Sequence, residues 1–145
     1  MRIQEILGGK GFDVVHARPV SSVRDLVVLL RERNLGAVVV SPDGLHVAGI
    51  VSERDVVRHL GQDPDLLDRP VSAIMTVGAE VCTCTASDTV ATVMAVMTQR
   101  RVRHVPVVDG AGALAGIVSI GDLVKSQIAE LEFERDQLDS YVHQT

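Results

Sequence analysis

The chain has 145 residues, 46% of them hydrophobic, enough for one domain of ordinary size or for two small units that share a core. Aromatic residues make up only 2% (Phe12, Phe133 and Tyr141) and the net charge is −5, which argues against nucleic acid as the main partner, since single strands stack on aromatic platforms and all polyanions need cations. No apolar run reaches the roughly 18 residues needed to span a bilayer, and the start, MRIQEILGGKG, has no signal-peptide pattern. A cytoplasmic protein with no membrane partner is expected.

In chain order, VVHA (14–17) reads as a short first strand. Ser22 then caps a helix whose apolar residues, Val23, Leu26, Val27 and Leu30, fall on one face. AVVV (37–40) reads as a buried β-branched strand. The turn SPDG (41–44), the strand HVAGIV (46–51) and a helix starting near Glu53 complete the unit. A linker over 63–80 carries a short helix at Val71–Met75. The series then recurs. VCTC (81–84) is a strand, Ser87 or Asp88 a cap, and Val90, Val93, Met94 and Met97 a helix face. VPVV (105–108), the turn DGAG (109–112), ALAGIV (113–118) and a helix from Ile120 follow.

A shift of 67 residues superposes Val14 on Val81, Val23 on Val90, Ala48 through Ser52 on Ala115 through Ser119, and Asp55 on Asp122. A repeat of this length is architectural, because each copy is one supersecondary unit that buries its face against the other. The predicted divisions are a first unit over 12–62, the linker over 63–80, a second unit over 81–128 and a C-terminal helical extension over 129–145.

Both units end on the same motif, GIVSERD (49–55) and GIVSIGD (116–122). A single Ser-x-x-Asp at a strand–helix junction is sufficiently explained as a capping box. Two in register within a doubled β-α-β-β-α unit carry more. The unit resembles the CBS domain, and the tandem, over about residues 12–128, resembles the CBS pair or Bateman module. SERDVVR (52–58) and MTQRRVRHVPVVD (97–109) are similar to the stand-alone CBS-pair proteins of bacteria and plant organelles. The resemblance implies an α/β (α+β) fold of two repeats about a pseudo-twofold axis, with two clefts between them. It also implies a non-enzymatic regulatory sensor that needs no cofactor, takes AMP, ADP or ATP as ligand and seats the ribose on the motif Asp. Ser52 and Asp55 then mark one cleft and Ser119 and Asp122 the other. Val105, Pro106 and Val118 are candidate purine walls, with an edge-strand role open for Pro106. His16 and its register partner Thr83 lie where the family lines its base pocket.

The register makes the clefts unequal. Arg103 and His104 stand where the first copy has Gly36 and Ala37, and Arg54 stands opposite Gly121. Guanidinium groups suit phosphate, so the cleft marked by Asp122 is expected to be the stronger one, with Arg54 reaching it from the opposite copy. Arg100 and Arg101 read as helix-end residues that complement the dipole. Cys82 and Cys84 share one face of a strand as core or pocket-wall residues, too few for a zinc site. The tail carries Val124, Ile128, Leu131, Leu138 and Val142, with Arg135 interrupting the stripe. This partly heptad pattern points to a homodimer, the other course being a helix folded back on its own domain. A regulated partner protein belongs to this reading. The alternative function is a structural dimerisation module with vestigial pockets. An enzyme built on His104 and the cysteines lacks a nucleophile–base–orienter set.

Overall fold

The computed structural model describes residues 1–8 and 14–143. Helix α1 (Ile3–Leu7) comes first, then the two-residue strand β1 (His16–Ala17). Helix α2 (Val23–Arg33) starts where the Ser22 hydroxyl accepts the Asp25 amide at 3.1 Å. Strand β2 (Ala37–Val40) is buried at all four positions. Strand β3 (Gly49–Ser52) leads into α3 (Glu53–Leu60). Strand β4 (Thr76–Val77) follows two single 3-10 turns at Leu66–Asp68 and Val71–Ala73. The second copy consists of β5 (Cys84–Thr85), α4 (Val90–Arg100), β6 (His104–Val108), β7 (Leu114–Ser119) and the long α5 (Ile120–His143). The order β-α-β-β-α holds twice.

Two sheets result, β1-β2-β3-β4 and β5-β6-β7. In each, the first strand runs parallel to the second and the remaining pairs are antiparallel. The sheets meet at their turns: Leu45 O accepts the Leu114 amide at 2.7 Å, and His46 bridges Ala113.

Several predicted boundaries move. The first strands are short edge strands that pair through only two residues each, so Val14, Val15 and residues 81–83 lie outside them. Cys82 is therefore not on a strand, although it packs against the same core as Cys84. His46 to Ala48 precede β3 rather than belong to it. The second cap is Thr89, whose hydroxyl accepts the Thr92 amide at 3.1 Å, while Asp88 accepts the Thr85 amide instead. The short linker helix shrinks to the single turn Val71–Ala73. The predicted first-unit start at Phe12 lies outside the described residues.

The linker and the N-terminus have a role that the repeat pattern does not announce. Leu66, Val71 and Ile74 belong to the core of the first copy, whereas Ile3 belongs to the core of the second. The attachments match bond for bond. Val71 N–H donates to Ser21 O and Val23 N–H to Arg69 O, both at 2.8 Å. Ile3 N–H donates to Asp88 O and Val90 N–H to Met1 O, both at 2.9 Å. Each repeat is thus completed by a segment that precedes the other repeat. The glycines of the doubled motif make room for these segments. A Cβ at Gly49 would lie 2.4 Å from the Thr76 carbonyl oxygen, and one at Gly116 would lie 2.6 Å from Leu7 Cδ2.

Helix α5 is about 36 Å long at 1.5 Å per residue. It buries only Leu123 fully, and every residue from Leu131 to His143 is exposed. It does not fold back over its own domain.

The two glycines are not equivalent. At Gly49 the obstacle is backbone, and at Gly116 it is the end of a flexible side chain. Gly49→Ala is expected to cost about 1–3 kcal/mol as an overpacked site, and Gly116→Ala less. Urea denaturation of both variants checks this; equal losses would mean that Leu7 is held as rigidly as the main chain.

Candidate functional site

Both motifs form the cap that their spacing allows. Asp55 Oδ2 accepts from Ser52 N–H at 2.9 Å and from Ser52 Oγ at 3.0 Å, while the Ser52 hydroxyl accepts the Asp55 amide at 3.3 Å. In the second copy Asp122 Oδ2 accepts from Ser119 N–H at 2.9 Å, and Ser119 Oγ accepts the Asp122 amide at 3.1 Å. The cap does not exhaust a carboxylate, which offers about four lone-pair sites. Asp55 uses one oxygen in these bonds, and both motif aspartates are partly exposed.

A cleft of about 540 Å³ opens beside Asp55. One wall comes from the first copy: Gly36 and Ala37 at the start of β2, Ile50 and Ser52 on β3, the first turns of α3, and Thr76 from β4. The other wall comes from the second copy: Arg100 to Val102 at the end of α4, then Arg103 and His104 entering β6. The walls close on each other at Gly36, where a Cβ would lie 3.3 Å from His104 Cε1.

Five of the chain's arginines line this cleft: Arg54 and Arg58 from α3, and Arg100, Arg101 and Arg103 from the facing segment. Against them stand Glu53 and Asp55. With His104 neutral the lining carries +3 in a chain of net charge −5. Among the described residues none of the five forms an ion pair or side-chain hydrogen bond. Unneutralised guanidinium groups on facing walls attract an anion and hold it by bidentate bonds.

This arrangement differs from the one that the register comparison suggests. The register argument leaves the Asp55 cleft bare because Gly36 and Ala37 occupy the places of Arg103 and His104. In space the two β-strand starts face each other, so all four residues line the one cleft. Arg100 and Arg101 do more than end a helix, since both reach its lining. Ser119 and Asp122 line neither this cleft nor its neighbour, although Ser119 stands opposite His104 in the sheet. The neighbouring cavity, about 420 Å³, shares Arg54, Arg101, Val102 and Arg103 with the cleft and adds Met97, Thr98 and Ile120.

Five further sequence candidates lie elsewhere. His16 packs its ring over Gly44 and places Nδ1 3.3 Å from Val14 O. Thr83 is exposed ahead of β5. Val105 and Val118 are buried in the second core and line neither the cleft nor the neighbouring cavity. Pro106 is buried on the central strand of its sheet, not on an edge; β5 pairs only with Val107 and Val108 and leaves its missing amide unclaimed. The lining residues that the sequence did not single out for the site are Ile50, Glu53, Arg58, Thr76 and Val102. Arg58 was accessible from the helical spacing, one turn after Arg54. Thr76 was not, because nothing in the sequence shows that the linker adds a strand to the first sheet.

A family model for the CBS domain matches the chain twice, over residues 10–62 and 71–129. The chain belongs to the CBS-domain family. A mitochondrial CBS domain-containing protein of Arabidopsis thaliana is 36% identical over 124 residues, which is 83% of this chain and 60% of that relative. The chain thus spans about three fifths of the length of this curated CBS relative. A CBS-domain protein of Agrobacterium tumefaciens has a crystal structure with a TM-score of 0.81 and 40% identity, covering 88% of this chain and 99% of that one. A CBS-domain protein of Pyrobaculum aerophilum, solved as a complex with AMP, has a TM-score of 0.73 and 28% identity over 84% of this chain and 89% of that one. Their names state no reaction. Among the described residues no helix is long and apolar enough to cross a membrane. The plant relative is named as mitochondrial, so the expected cytoplasmic location rests on this chain's own sequence.

The two cysteines of the second CBS repeat are both reduced. Burial, with a smaller contribution from the Asp88 charge, pushes the Cys84 thiol up to about 12. A thiol kept protonated is a poor nucleophile, so a thiol-specific reagent at pH 8 is expected to label Cys82 and spare Cys84 in the native protein. The same shift has a stability consequence. Above pH 9 the unfolded chain loses a Cys84 proton that the folded chain keeps, so stability falls as pH rises from about 9 toward 12. Denaturation midpoints across that range should lose part of their slope in Cys84→Val.

Proposed function

We propose that this CBS pair is a regulatory module that binds an adenine nucleotide, AMP, ADP or ATP, in the cleft marked by Ser52 and Asp55, and performs no chemistry on it. The observation that carries the reading is the set of five unpaired arginines on facing walls beside a motif carboxylate. A ribose diol suits the Asp55 carboxylate, which retains acceptor capacity beyond its cap. Phosphate suits the α3 amino terminus together with Arg54, Arg100, Arg101 and Arg103. Gly36, Ala37, Ile50 and Val102 offer apolar surface for a purine without aromatic help. The AMP complex of the Pyrobaculum aerophilum relative supports the ligand class. Ser119 and Asp122 mark the equivalent position in the second copy. Because the cleft has a wall from each repeat, a ligand that bridges them favours one relative placement. Such differential affinity is what regulation of a partner protein requires. The cytoplasm remains the compartment that we assign.

The test is calorimetric titration with AMP, ADP and ATP of the parent and of Asp55→Asn, which keeps the side-chain shape. A charge-assisted hydrogen bond contributes about 1.5–3 kcal/mol and about 1.4 kcal/mol is tenfold, so Asp55→Asn is expected to weaken binding about 10- to 100-fold. Asp122→Asn should do less. No heat and no thermal shift with any of the three ligands would leave the structural dimerisation role instead.

The same reading includes a homodimer, two CBS pairs forming a disc. Helices α2 and α3 leave Val27, Val28, Val57 and Leu60 exposed, and α5 leaves Val124, Ile128, Leu131 and Leu138 exposed. Truncation after residue 128 is expected to weaken dimerisation, read by light scattering at micromolar concentration. An unchanged dimer mass would assign the contact to the repeats alone.

A further inference from the structure

Resting on the nucleotide reading above, we infer that this site is built for a ligand with two or more phosphates in line, its chain running from the Asp55 cleft into the neighbouring cavity. That cavity shares Arg54, Arg101 and Arg103 with the cleft, and no carboxylate lines it. An anion that leaves a ribose on Asp55 passes between arginines common to both spaces and enters a compartment whose only charges are positive. A single phosphate satisfies the nearer guanidinium groups. A second and third phosphate meet the rest.

The backbone of Arg101 points the same way. It sits just past α4 in the left-handed region, φ 56° and ψ 42°, where side chains other than Gly, Asn and Asp are uncommon. Its counterpart at the end of α2 has the same conformation, φ 53° and ψ 51°, and is Asn34, a residue suited to it. Helix termination is thus served better by Asn than by Arg, and Arg101 belongs to the lining of both spaces. Three of the five arginines have no basic counterpart in the other repeat. The register counterparts of Arg54, Arg101 and Arg103 are Gly121, Asn34 and Gly36.

The decisive measurement is the ratio of ATP to AMP affinity in the parent and in Arg101→Asn, which imports the residue found in the first repeat. The parent is expected to bind ADP and ATP at least about tenfold more tightly than AMP, the worth of one added charge-assisted contact. Arg101→Asn should cut the ATP-to-AMP ratio about tenfold. Its melting temperature without ligand should be equal or higher, since Asn relieves the backbone. AMP binding as tightly as ATP, or a variant that weakens both equally, overturns the inference and leaves the nucleotide reading standing. Inorganic tripolyphosphate separates the two ideas. If it raises the melting temperature of the parent but not of Arg101→Asn while no adenine nucleotide binds, the phosphate compartment stands and the nucleotide reading falls. If tripolyphosphate and nucleotides all leave the parent unchanged, both fall.

Discussion

Val71 and Ile3, neither with any exposed surface, are each supplied to a repeat by a chain segment that lies ahead of the other repeat. Everything at the site depends on this exchange. Were the repeats self-contained, only surface contacts would fix the angle between them, and interfaces of that kind allow relative motion. Here the segment leading into the first copy completes the second core, and the segment joining the copies completes the first. The linker cannot slacken without opening a hydrophobic core. Thr76, part of that same linker, is a lining residue of the cleft. The glycines of the doubled motif belong to the same device, because they admit Met75 and Leu7 against the sheets. The Ser and Asp that follow them form the caps that start α3 and α5. One seven-residue stretch therefore serves both the seating of the exchanged segment and the start of the following helix.

Charge distribution decides what such a cleft attracts. The chain as a whole is acidic, and three of its other arginines are paired with neighbouring carboxylates: Arg24 with Asp68, Arg69 with Asp63, Arg135 with Asp136. The cleft arginines stand outside that pattern. A concave surface between two packed sheets concentrates their field, so an anion is drawn to this place against the net charge of the molecule. The solvated carboxylates elsewhere repel bulky polyanions while leaving the cleft open to small ones. Such selection suits a small anion better than nucleic acid.

Much of this was readable from the amino acids. The repeat order, the buried runs at 37–40 and 105–108, the Ser22 cap and the doubled motif all follow from periodicity, β-branching and capping rules, because each depends on neighbours close in sequence. What failed depends on distance. The placement of Arg103 and His104 beside Gly36 requires knowing that equivalent strands of the two repeats face each other. Register comparison sets equivalent residues side by side on paper, where they look like alternatives. A rotation between repeats brings them into one lining, where they are partners. The same limit hid Thr76 and Arg101. Val105 and Val118 lie apart from the cleft for a different reason: alternation along β6 and β7 turns them toward their own core, and a strand that is apolar on both faces does not show which face is which.

Helix α5 starts at Ile120, which lines the smaller cavity, and continues without a break to His143. Its near end is therefore part of a cavity wall and its far end stands clear of the domain. Continuous hydrogen bonding makes such a helix a stiff rod, so movement at one end is carried undiminished to the other. At 1.5 Å per residue a tilt of about 5° at the first turn displaces the tip by about 3 Å, comparable with the helix shifts that reorganise subunit contacts in switching proteins. The tail is then a lever arm, whose exposed tip enlarges any tilt of the turn that borders the cavity.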